Sequence, residues 1–210
     1  MASVSRQIGW SQESNLLWQI LNQITKLTAV VFALKPKYKV FTALLTQEGG
    51  SNFVGFRYSD GNLTIGVTYE ILDDDSGTVD FTNVGAPNNN IGTFFIATGT
   101  TPTSWGDNLF GQLRYDEGAP TAIILENTIG NIWFTYLTSG EYTVNSNNLF
   151  IEDKTAVDID AFSYANILNY SFISNETIFP ENMININSQL SGGPIDSILS
   201  KNRIEIRVYN

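Results

Sequence analysis

Residues 10–34 carry the sequence WSQESNLLWQILNQITKLTAVVFAL, and the spacing of their apolar side chains predicts an α-helix. Apolar residues recur at alternating steps of three and four, the heptad repeat that lets helices pack along one another. Ser11 is suited to cap the first turn, and Pro36 ends the helix because proline disfavours helical geometry in the residue before it. The positions that form the repeat are Leu17, Ile20, Ile24, Leu27 and Val31.

The apolar stripe of this helix leaves two interpretations open. Isoleucine at both kinds of seam position, with further apolar side chains at the flanks, favours three or four helices over two in a coiled coil. We therefore expect residues 1–35 to form an oligomerisation and attachment helix, with a homotrimer as the favoured assembly. The clean repeat is shorter than the roughly three to four heptads typical of coiled coils. An amphipathic helix packed on the chain's own β domain is therefore the alternative.

The composition describes a weakly charged, acidic chain. Of 210 residues, 42% are hydrophobic and 15% are charged, and the net charge at pH 7 is −10. Binding to a nucleic-acid backbone requires a concentrated basic face, and the basic residues are scattered apart from Lys35, Lys37 and Lys39. The composition argues against nucleic acid as a partner and is typical of β-rich extracellular and virion proteins.

The sequence contains neither cysteine nor histidine. Their absence excludes disulfides, thiolate metal sites, cysteine nucleophiles and the serine–histidine triad. We expect no catalytic residue, no metal site and no cofactor. Residues 1–10 lack the apolar core of a signal peptide, and the apolar run over residues 29–34 is too short to span a bilayer. We therefore expect synthesis in a cytoplasm and no membrane partner.

After Pro36 the apolar pattern changes to period two, which predicts β-strands. The first predicted strand covers residues 38–45, and strict alternation over residues 63–71 is the strongest strand signal in the sequence. Further strands are predicted near residues 93–98, 167–173, 183–186 and 203–209. In the last of these, Ile204, Ile206 and Val208 are expected to face the core.

Two hairpins are predicted from short turns between apolar segments. Residues 121–127 and 131–137 are expected to pair through the turn at residues 128–130. A second hairpin is expected around residues 145–147, between the segments EYTV and NLFI.

These elements predict a mainly β fold in three parts. The helix is followed by an antiparallel β-sandwich or barrel built from residues 36–50 and 119–210. A small β module, residues 51–118, is inserted in a loop of that domain, and the apparent strand pattern on both sides of it is continuous. Loops tolerate such insertions because the entropy of loop closure rises only slowly with length.

Several segments resemble structural proteins of tailed-phage virions. YKVFTALLTQ (residues 38–47) and GAPTAIILENTIGNIWFTYLTSGEYTV (residues 118–144) look like one recurrent β segment of those proteins, interrupted here by the insertion. The segment from LTIGVTYEI to TPTSW (residues 63–105) is similar to a small module of phage and prophage structural proteins. The segments IGWSQESNLLWQIL and IEIRVYN resemble the ends of chains in the same group. The resemblance implies a virion component such as a head fibre, tail fibre or capsid decoration protein, and it implies no catalytic residue.

Two groups of acidic residues are candidates for a metal site or a catalytic site. Asp73, Asp74 and Asp75 with Asp80 supply oxygen atoms of the kind that bind calcium, but their spacing does not match an EF-hand loop. We interpret them as a solvated turn. A glycosidase needs two carboxylates on opposite sides of the sugar, whereas residues 158 and 160 are both aspartates on one face of a predicted strand. We interpret that pair as an exposed edge.

Trp18 and Trp105 are the candidate contacts to a partner or a glycan. Trp105 lies in a loop rich in Gly, Thr and Pro, beside Asp107, which suits sugar stacking. The alternative is that Trp105 closes the small core of the insertion. Trp18 falls on the outer face of the helix in the heptad register and would contact the β domain or another virion protein.

The sequence thus predicts a non-enzymatic structural protein of a phage virion, a surface fibre or decoration protein attached to the head or tail. Its expected partners are copies of itself, capsid or tail proteins and host surface glycans. The alternative is a carbohydrate-binding module for host recognition, and a polysaccharide depolymerase is the least favoured function. The expected location is the virion, after assembly in the cytoplasm of the bacterial host.

Overall fold

A computed structural model of the chain describes residues 12–33, 37–49, 54–58, 61–107, 111–160, 167–175, 179–190 and 193–210. The chain divides into two compact units, Met1–Lys37 with the helix and Tyr38–Asn210 with the strands. The fold is mainly β, with an N-terminal helix followed by antiparallel sheets, as the sequence predicts.

Helix α1 spans Gln12–Ala33, within the predicted stretch. The hydroxyl groups of Thr25 and Thr28 donate to the carbonyl oxygens of Leu21 and Ile24, each over 2.8 Å, so these polar side chains are satisfied within the helix itself. The cap proposed at Ser11 lies outside the described residues. Among the described residues, no helix is long and apolar enough to cross a membrane.

The second unit is built from antiparallel strands and short 3₁₀ turns. The turns span Asp75–Gly77, Thr82–Val84 and Glu152–Lys154. The strands are β1 (Tyr38–Thr46), β2 (Val54–Tyr58), β3 (Thr68–Asp73), β4 (Val79–Asp80), β5 (Phe94–Ile96), β6 (Ser104–Trp105), β7 (Gln112–Asp116), β8 (Thr121–Asn127), β9 (Ile132–Thr138), β10 (Glu141–Ser146), β11 (Thr155–Ile159), β12 (Ile167–Asn175), β13 (Phe179–Leu190), β14 (Gly193–Pro194) and β15 (Ser200–Tyr209).

Two sheets face each other across one core and form an antiparallel sandwich. The first has the strand order β11-β15-β1-β8, and the second has the order β12-β13-β10-β9 with β14 beside β13. Side chains of both sheets share one buried cluster, in which the ring centroids of Phe41 and Phe134 are 6.3 Å apart. On β15, Ile204, Ile206 and Val208 are buried, as predicted from the period-two pattern.

The insertion has sheets and a core of its own. Its strands pair in the order β2-β7-β3-β5, and β4 pairs with β6. A second buried cluster, which includes Tyr69, Phe81 and Leu113, lies within it, whereas Ile96 at the end of β5 belongs to the sandwich core. By strand pairing, the insertion is therefore separate from the sandwich. By the clustering of their contacts, both belong to one compact unit, Tyr38–Asn210.

The predicted hairpin between residues 121–127 and 131–137 is wrong, although both strands are present. Strand β8 pairs with β1, and β9 pairs with β10, so the two strands lie in different sheets. Asn127 Oδ1 accepts hydrogen bonds from the backbone N–H groups of Ile129 (3.1 Å) and Gly130 (3.2 Å), and the Ile129 side chain is buried in the core. This turn is a corner between sheets rather than a hairpin.

Two other strand predictions also differ from the structure. Strand β10 pairs with β9 and β13, and residues 148–151 form no strand, so the hairpin predicted around residues 145–147 is absent. The strand predicted from residue 63 begins only at Thr68. Gly66 has a φ of +87°, a left-handed conformation that interrupts an extended chain despite the regular apolar alternation.

The insertion packs against β9, the edge strand of the second sheet. The backbone N–H of Phe134 donates to Thr68 Oγ1 over 3.1 Å, and the N–H of Tyr136 donates to Asp116 Oδ2 over 2.8 Å. Both N–H groups belong to an edge strand, where unpaired backbone groups would otherwise require water or another chain. Side chains of the insertion therefore take the place of a further strand.

Two additional contacts hold the insertion close to the sandwich. The backbone N–H of Ala122 on β8 donates to the carbonyl oxygen of Gly66 over 2.9 Å. The ring of Phe94 stacks on Trp133 with a centroid distance of 5.4 Å and an interplanar angle of 11°. A Cβ atom on Gly66 would lie 2.8 Å from the carbonyl oxygen of Ala122, so this approach requires glycine.

We predict that Gly66→Ala destabilises the protein more than Gly77→Ala. Both glycines have left-handed φ angles, +87° and +83°, and an alanine in that conformation costs about 1–2 kcal/mol. Only the Gly66 substitution introduces a clash with described residues, for which about 1–3 kcal/mol is typical, because none of the described residues lies within 4 Å of a Cβ at Gly77. The free energies of unfolding in urea measure the difference. Equal losses of stability in the two variants would show that the backbone around Gly66 and Ala122 moves apart to accommodate the added Cβ.

Candidate functional site

One face of α1 carries large apolar side chains that are exposed. Side chains with 45–66% exposure are Leu16, Leu17, Trp18, Ile20, Leu21, Ile24 and Leu27. Four of the five predicted seam residues are in this set, and the side chain of the fifth, Val31, lies outside what the structure describes. The opposite face carries Asn15, Gln19, Asn22 and Lys26. We call the exposed set the apolar stripe; contiguous apolar surface of this kind is typical of interaction sites.

The two candidate tryptophans lie in different surroundings. Trp18 is 53% exposed, at the flank of the apolar stripe. Trp105 is only 8% exposed, and its ring meets Phe81 edge-on, with a centroid distance of 5.3 Å and an interplanar angle of 80°. Such a ring has little surface left for a sugar, so its position fits the packing interpretation of Trp105 and not the glycan contact.

Asp158 and Asp160 are joined by an arginine. Arg203 Nη2 lies 3.0 Å from Asp158 Oδ2, and Arg203 Nε lies 3.0 Å from Asp160 Oδ2. Arg203 Nη1 also lies 2.7 Å from an oxygen of Glu205. The hydrogen bond that Arg203 donates to Asp160, with the surrounding negative charge, raises the pKa of Arg203 above its usual value. The geometry is that of a surface ion-pair network on strands β11 and β15.

The acidic turn is arranged by hydrogen bonds to the chain itself. Asp73 Oδ1 accepts from the backbone N–H of Asp75 over 2.8 Å, and Asp75 is buried. The side chain and backbone N–H of Thr82 both donate to Asp80 and hold the pKa of Asp80 below its usual value. Within the described parts of the chain, no group of three acidic side chains is placed to hold a metal ion.

A groove of about 250 Å³ lies between the insertion and strand β9. We call it the insertion groove, and it collects side chains from four strands. They are Thr68, Tyr69 and Glu70 of β3, Phe94 of β5, Arg114, Tyr115 and Asp116 of β7, and Thr135 of β9. The groove exists because Thr68 and Asp116 fix the insertion at the edge of β9, and both residues belong to its lining.

An ion pair between Glu70 and Arg114 lies in the groove. Arg114 Nε pairs with Glu70 Oε2, and the two side chains sit opposite each other in the register of β3 and β7. The Glu70 side chain is 12% exposed and that of Arg114 is 44% exposed. The terminal guanidinium nitrogens of Arg114 make no hydrogen bond to the residues that the structure describes. The pair thus combines a fixed position with donors that can serve a ligand.

Asp116 is the second carboxylate of the groove. Its Oδ2 accepts from the N–H of Tyr136 and its Oδ1 accepts from the N–H of Gly118 over 3.1 Å. Burial nevertheless raises the pKa of Asp116 above the usual value, because desolvation of the charged form outweighs these hydrogen bonds.

Aromatic rings form the apolar part of the groove. Phe94 is held by its stack on Trp133, and Tyr115 packs against Tyr69 with a centroid distance of 5.7 Å. Both Phe94 and Tyr115 are partly buried. Thr135 adds a hydroxyl that is hydrogen-bonded to the hydroxyl of Thr143 on the neighbouring strand. The lining therefore offers flat apolar surface beside positioned donors and acceptors.

The sequence analysis did not identify the insertion groove. The available signal was QLRYD over residues 112–116, where charged and apolar side chains alternate, but that segment does not reveal which strands lie beside it. No protein-family model, no curated protein and no solved structure matches the chain.

We predict opposite pH dependences for the stability effects of Asp116 and Asp80. The folded-state pKa of Asp116 is raised, so the stability that this group contributes is present below its usual pKa and is lost as the pH rises through the folded value. The folded-state pKa of Asp80 is lowered, so its contribution is present above the usual pKa and is lost as the pH falls through the folded value.

Urea unfolding of the wild type, Asp116→Asn and Asp80→Asn across the acidic range measures both effects. The stability of the wild type relative to Asp116→Asn should fall as the pH rises, and its stability relative to Asp80→Asn should rise. Differences that follow the same direction in both variants would contradict the assignment of burial as the dominant influence on Asp116.

Proposed function

We propose that this protein is a non-enzymatic structural component of a tailed-phage virion, a surface fibre or decoration protein attached to the head or tail. The observation that carries the proposal is the apolar stripe of α1, which gives the chain a surface for self-association. The proposed location in a phage virion rests on the resemblance of several segments to phage structural proteins. Copies of the same chain and capsid or tail proteins are the proposed partners.

The apolar stripe provides a driving force for assembly. Full burial of one large aliphatic side chain contributes about 1.5–3 kcal/mol, so a side chain that is about half exposed contributes about 1 kcal/mol when a partner covers it. Several such side chains along one helix suffice to oppose the entropic cost of association. The polar face with Asn15, Gln19 and Lys26 confines contact to one side of the helix.

The assembly proposed is a homotrimer through α1. Ile20 and Ile24 represent the two kinds of seam position, and isoleucine at both favours more than two helices. The flanking Leu16 and Leu21 are also exposed and widen the stripe beyond a two-helix seam. A trimer would bury the stripe and keep the polar face in water.

We predict that the double substitution Ile20→Asp and Ile24→Asp dissociates the oligomer. Buried charges without partners are strongly destabilising, so the substituted stripe should no longer associate. The matched control is Asn15→Asp with Gln19→Asp, which adds the same charge to the polar face. Multi-angle light scattering should give three times the chain mass of 23.3 kDa for the wild type and the control, and 23.3 kDa for the stripe variant.

A wild type that runs as a 23.3 kDa monomer at micromolar concentration would overturn the assembly. Dissociation of both double variants would assign the effect to charge alone and not to the stripe. Cryo-microscopy of an intact particle tests the location separately, because a structural role requires the chain to be present in regular positions on the virion.

We also predict that the protein does not cleave polysaccharides. The sequence lacks histidine and cysteine, and the acids first considered for glycosidase chemistry, Asp158 and Asp160, are both paired with Arg203. Incubation with host capsule and cell-wall polysaccharides should release no more reducing ends than a heat-denatured control. Release above that control would make the protein a depolymerase, and loss of release in Asp158→Asn or Asp160→Asn would locate its acids.

A carbohydrate-binding module for host recognition is the second candidate function. The insertion groove favours it, because the groove combines partly buried aromatic rings with an ion pair whose terminal guanidinium nitrogens make no hydrogen bond to the described residues. The two functions are compatible, since a virion fibre or decoration protein can also bind a surface glycan.

A further inference from the structure

We propose that the insertion groove binds one neutral sugar residue of a glycan, with Arg114 and Glu70 as its polar contacts and Phe94 and Tyr115 as its apolar contacts. The inference rests on the second candidate function, carbohydrate binding, and is independent of assembly through α1. It assigns the binding role to a seam between the insertion and the sandwich rather than to the loop of Trp105.

The size of the groove favours a small ligand. Pockets for drug-sized molecules are about 300–1,000 Å³, and the groove at about 250 Å³ lies just below that range. It is therefore suited to a single ring-sized unit and not to an extended peptide or helix. A terminal sugar of a longer glycan can enter such a groove while the rest of the chain remains in water.

The lining matches the two kinds of surface that a sugar presents. A pyranose has a face of C–H groups and an edge of hydroxyl groups. The rings of Phe94 and Tyr115 provide flat apolar surface; Phe94 is held by its stack on Trp133, and Tyr115 by a tilted contact with Tyr69. Arg114 donates through its terminal nitrogens, and the carboxylate of Glu70, which holds Arg114, accepts from hydroxyl groups.

The charge of the groove selects against anionic ligands. Glu70 and Asp116 contribute two carboxylates, and Arg114 contributes one guanidinium, which is already paired with Glu70. In a partly desolvated site an additional negative charge meets repulsion that water does not fully screen. The protein also carries a net charge of −10. Phosphate groups, nucleic acid and sialylated ends are thus disfavoured, and a neutral sugar remains.

The position of Arg114 is fixed without a ligand. Its partner Glu70 is mostly buried, and both residues sit on neighbouring strands in direct register. Groups held in place before binding lose less conformational freedom when the ligand arrives. A small neutral ligand still makes few contacts, so we expect a dissociation constant of about 1 mM for a monosaccharide.

The test uses the full-length oligomer and two arginine variants. Arg114→Gln replaces the guanidinium of the groove with a shorter, neutral amide, and Arg207→Gln is the matched control. Arg207 is 43% exposed and paired with the mostly buried Glu205 on β15, as Arg114 is 44% exposed and paired with Glu70. Arg114→Gln removes the partner of the mostly buried Glu70, whereas Glu205 keeps Arg203 as a partner after Arg207→Gln. The melting temperatures of both variants are therefore measured, and affinities are compared at a temperature where both are folded.

Saturation-transfer NMR with glucose, galactose, mannose, rhamnose and N-acetylglucosamine, together with a glycan array, identifies the bound sugar. We expect at least one neutral sugar to bind, Arg114→Gln to weaken its affinity about tenfold or more, and Arg207→Gln to leave it unchanged. Glu70→Gln, which keeps the size of the side chain, should also weaken binding.

Each other outcome overturns the inference in a distinct way. If no sugar binds in the NMR experiment or on the array, carbohydrate binding is excluded as a function, whatever the oligomeric state. Binding that Arg114→Gln and Glu70→Gln leave unchanged would keep carbohydrate binding as a function but exclude this groove. Binding restricted to sialylated, phosphorylated or protonated amino sugars would contradict the selectivity for neutral ligands.

Discussion

The unpaired edge of β9 is the constraint on which the arrangement of the β unit depends. An edge strand exposes N–H groups that attract other chains unless they are covered. Here the N–H groups of Phe134 and Tyr136 donate to Thr68 and Asp116 of the insertion. Because two side chains rather than a strand satisfy the edge, the insertion stands beside the sheet without joining it, and the space between them is the insertion groove. Asp116 is partly buried there, and this desolvation raises the pKa of Asp116 even though the hydrogen bond from Tyr136 lowers it.

The sequence was sufficient to predict the class of the fold and most strands, but not which strands pair. Apolar segments separated by turn residues predicted β8 and β9 nearly residue for residue, since composition and turn residues are local features of the sequence. Pairing depends on the turn, and the burial of Ile129 sends the chain from one sheet to the other. Regular alternation before Thr68 failed for a related reason, because a tertiary contact places Gly66 in a left-handed conformation against Ala122.

The candidate sites also differ in whether the sequence could predict them. The stripe of α1 could be predicted because a helix face is defined by spacing within one segment, and the described side chains of that face are exposed. The insertion groove could not be predicted, because its lining comes from four strands whose adjacency is a property of the fold. Trp105 shows how a loop composition leaves two interpretations open until the fold is known. Its loop composition suits a sugar site, yet its ring packs on Phe81 inside the insertion, since a small core needs a large side chain to close it.

The proposed self-association would compensate for the low affinity expected of a single insertion groove. A groove that touches one sugar residue through Arg114, Glu70 and two rings has too few contacts for tight binding by a single copy. Linked copies convert later binding events into intramolecular ones, so avidity can exceed the affinity of one site by about 10²–10⁴-fold without any new contact. The apolar stripe of α1 would provide that linkage within an oligomer, and display on a repeated lattice would extend it. The two proposals therefore fit together, because selectivity would come from the groove and strength of binding from the number of copies.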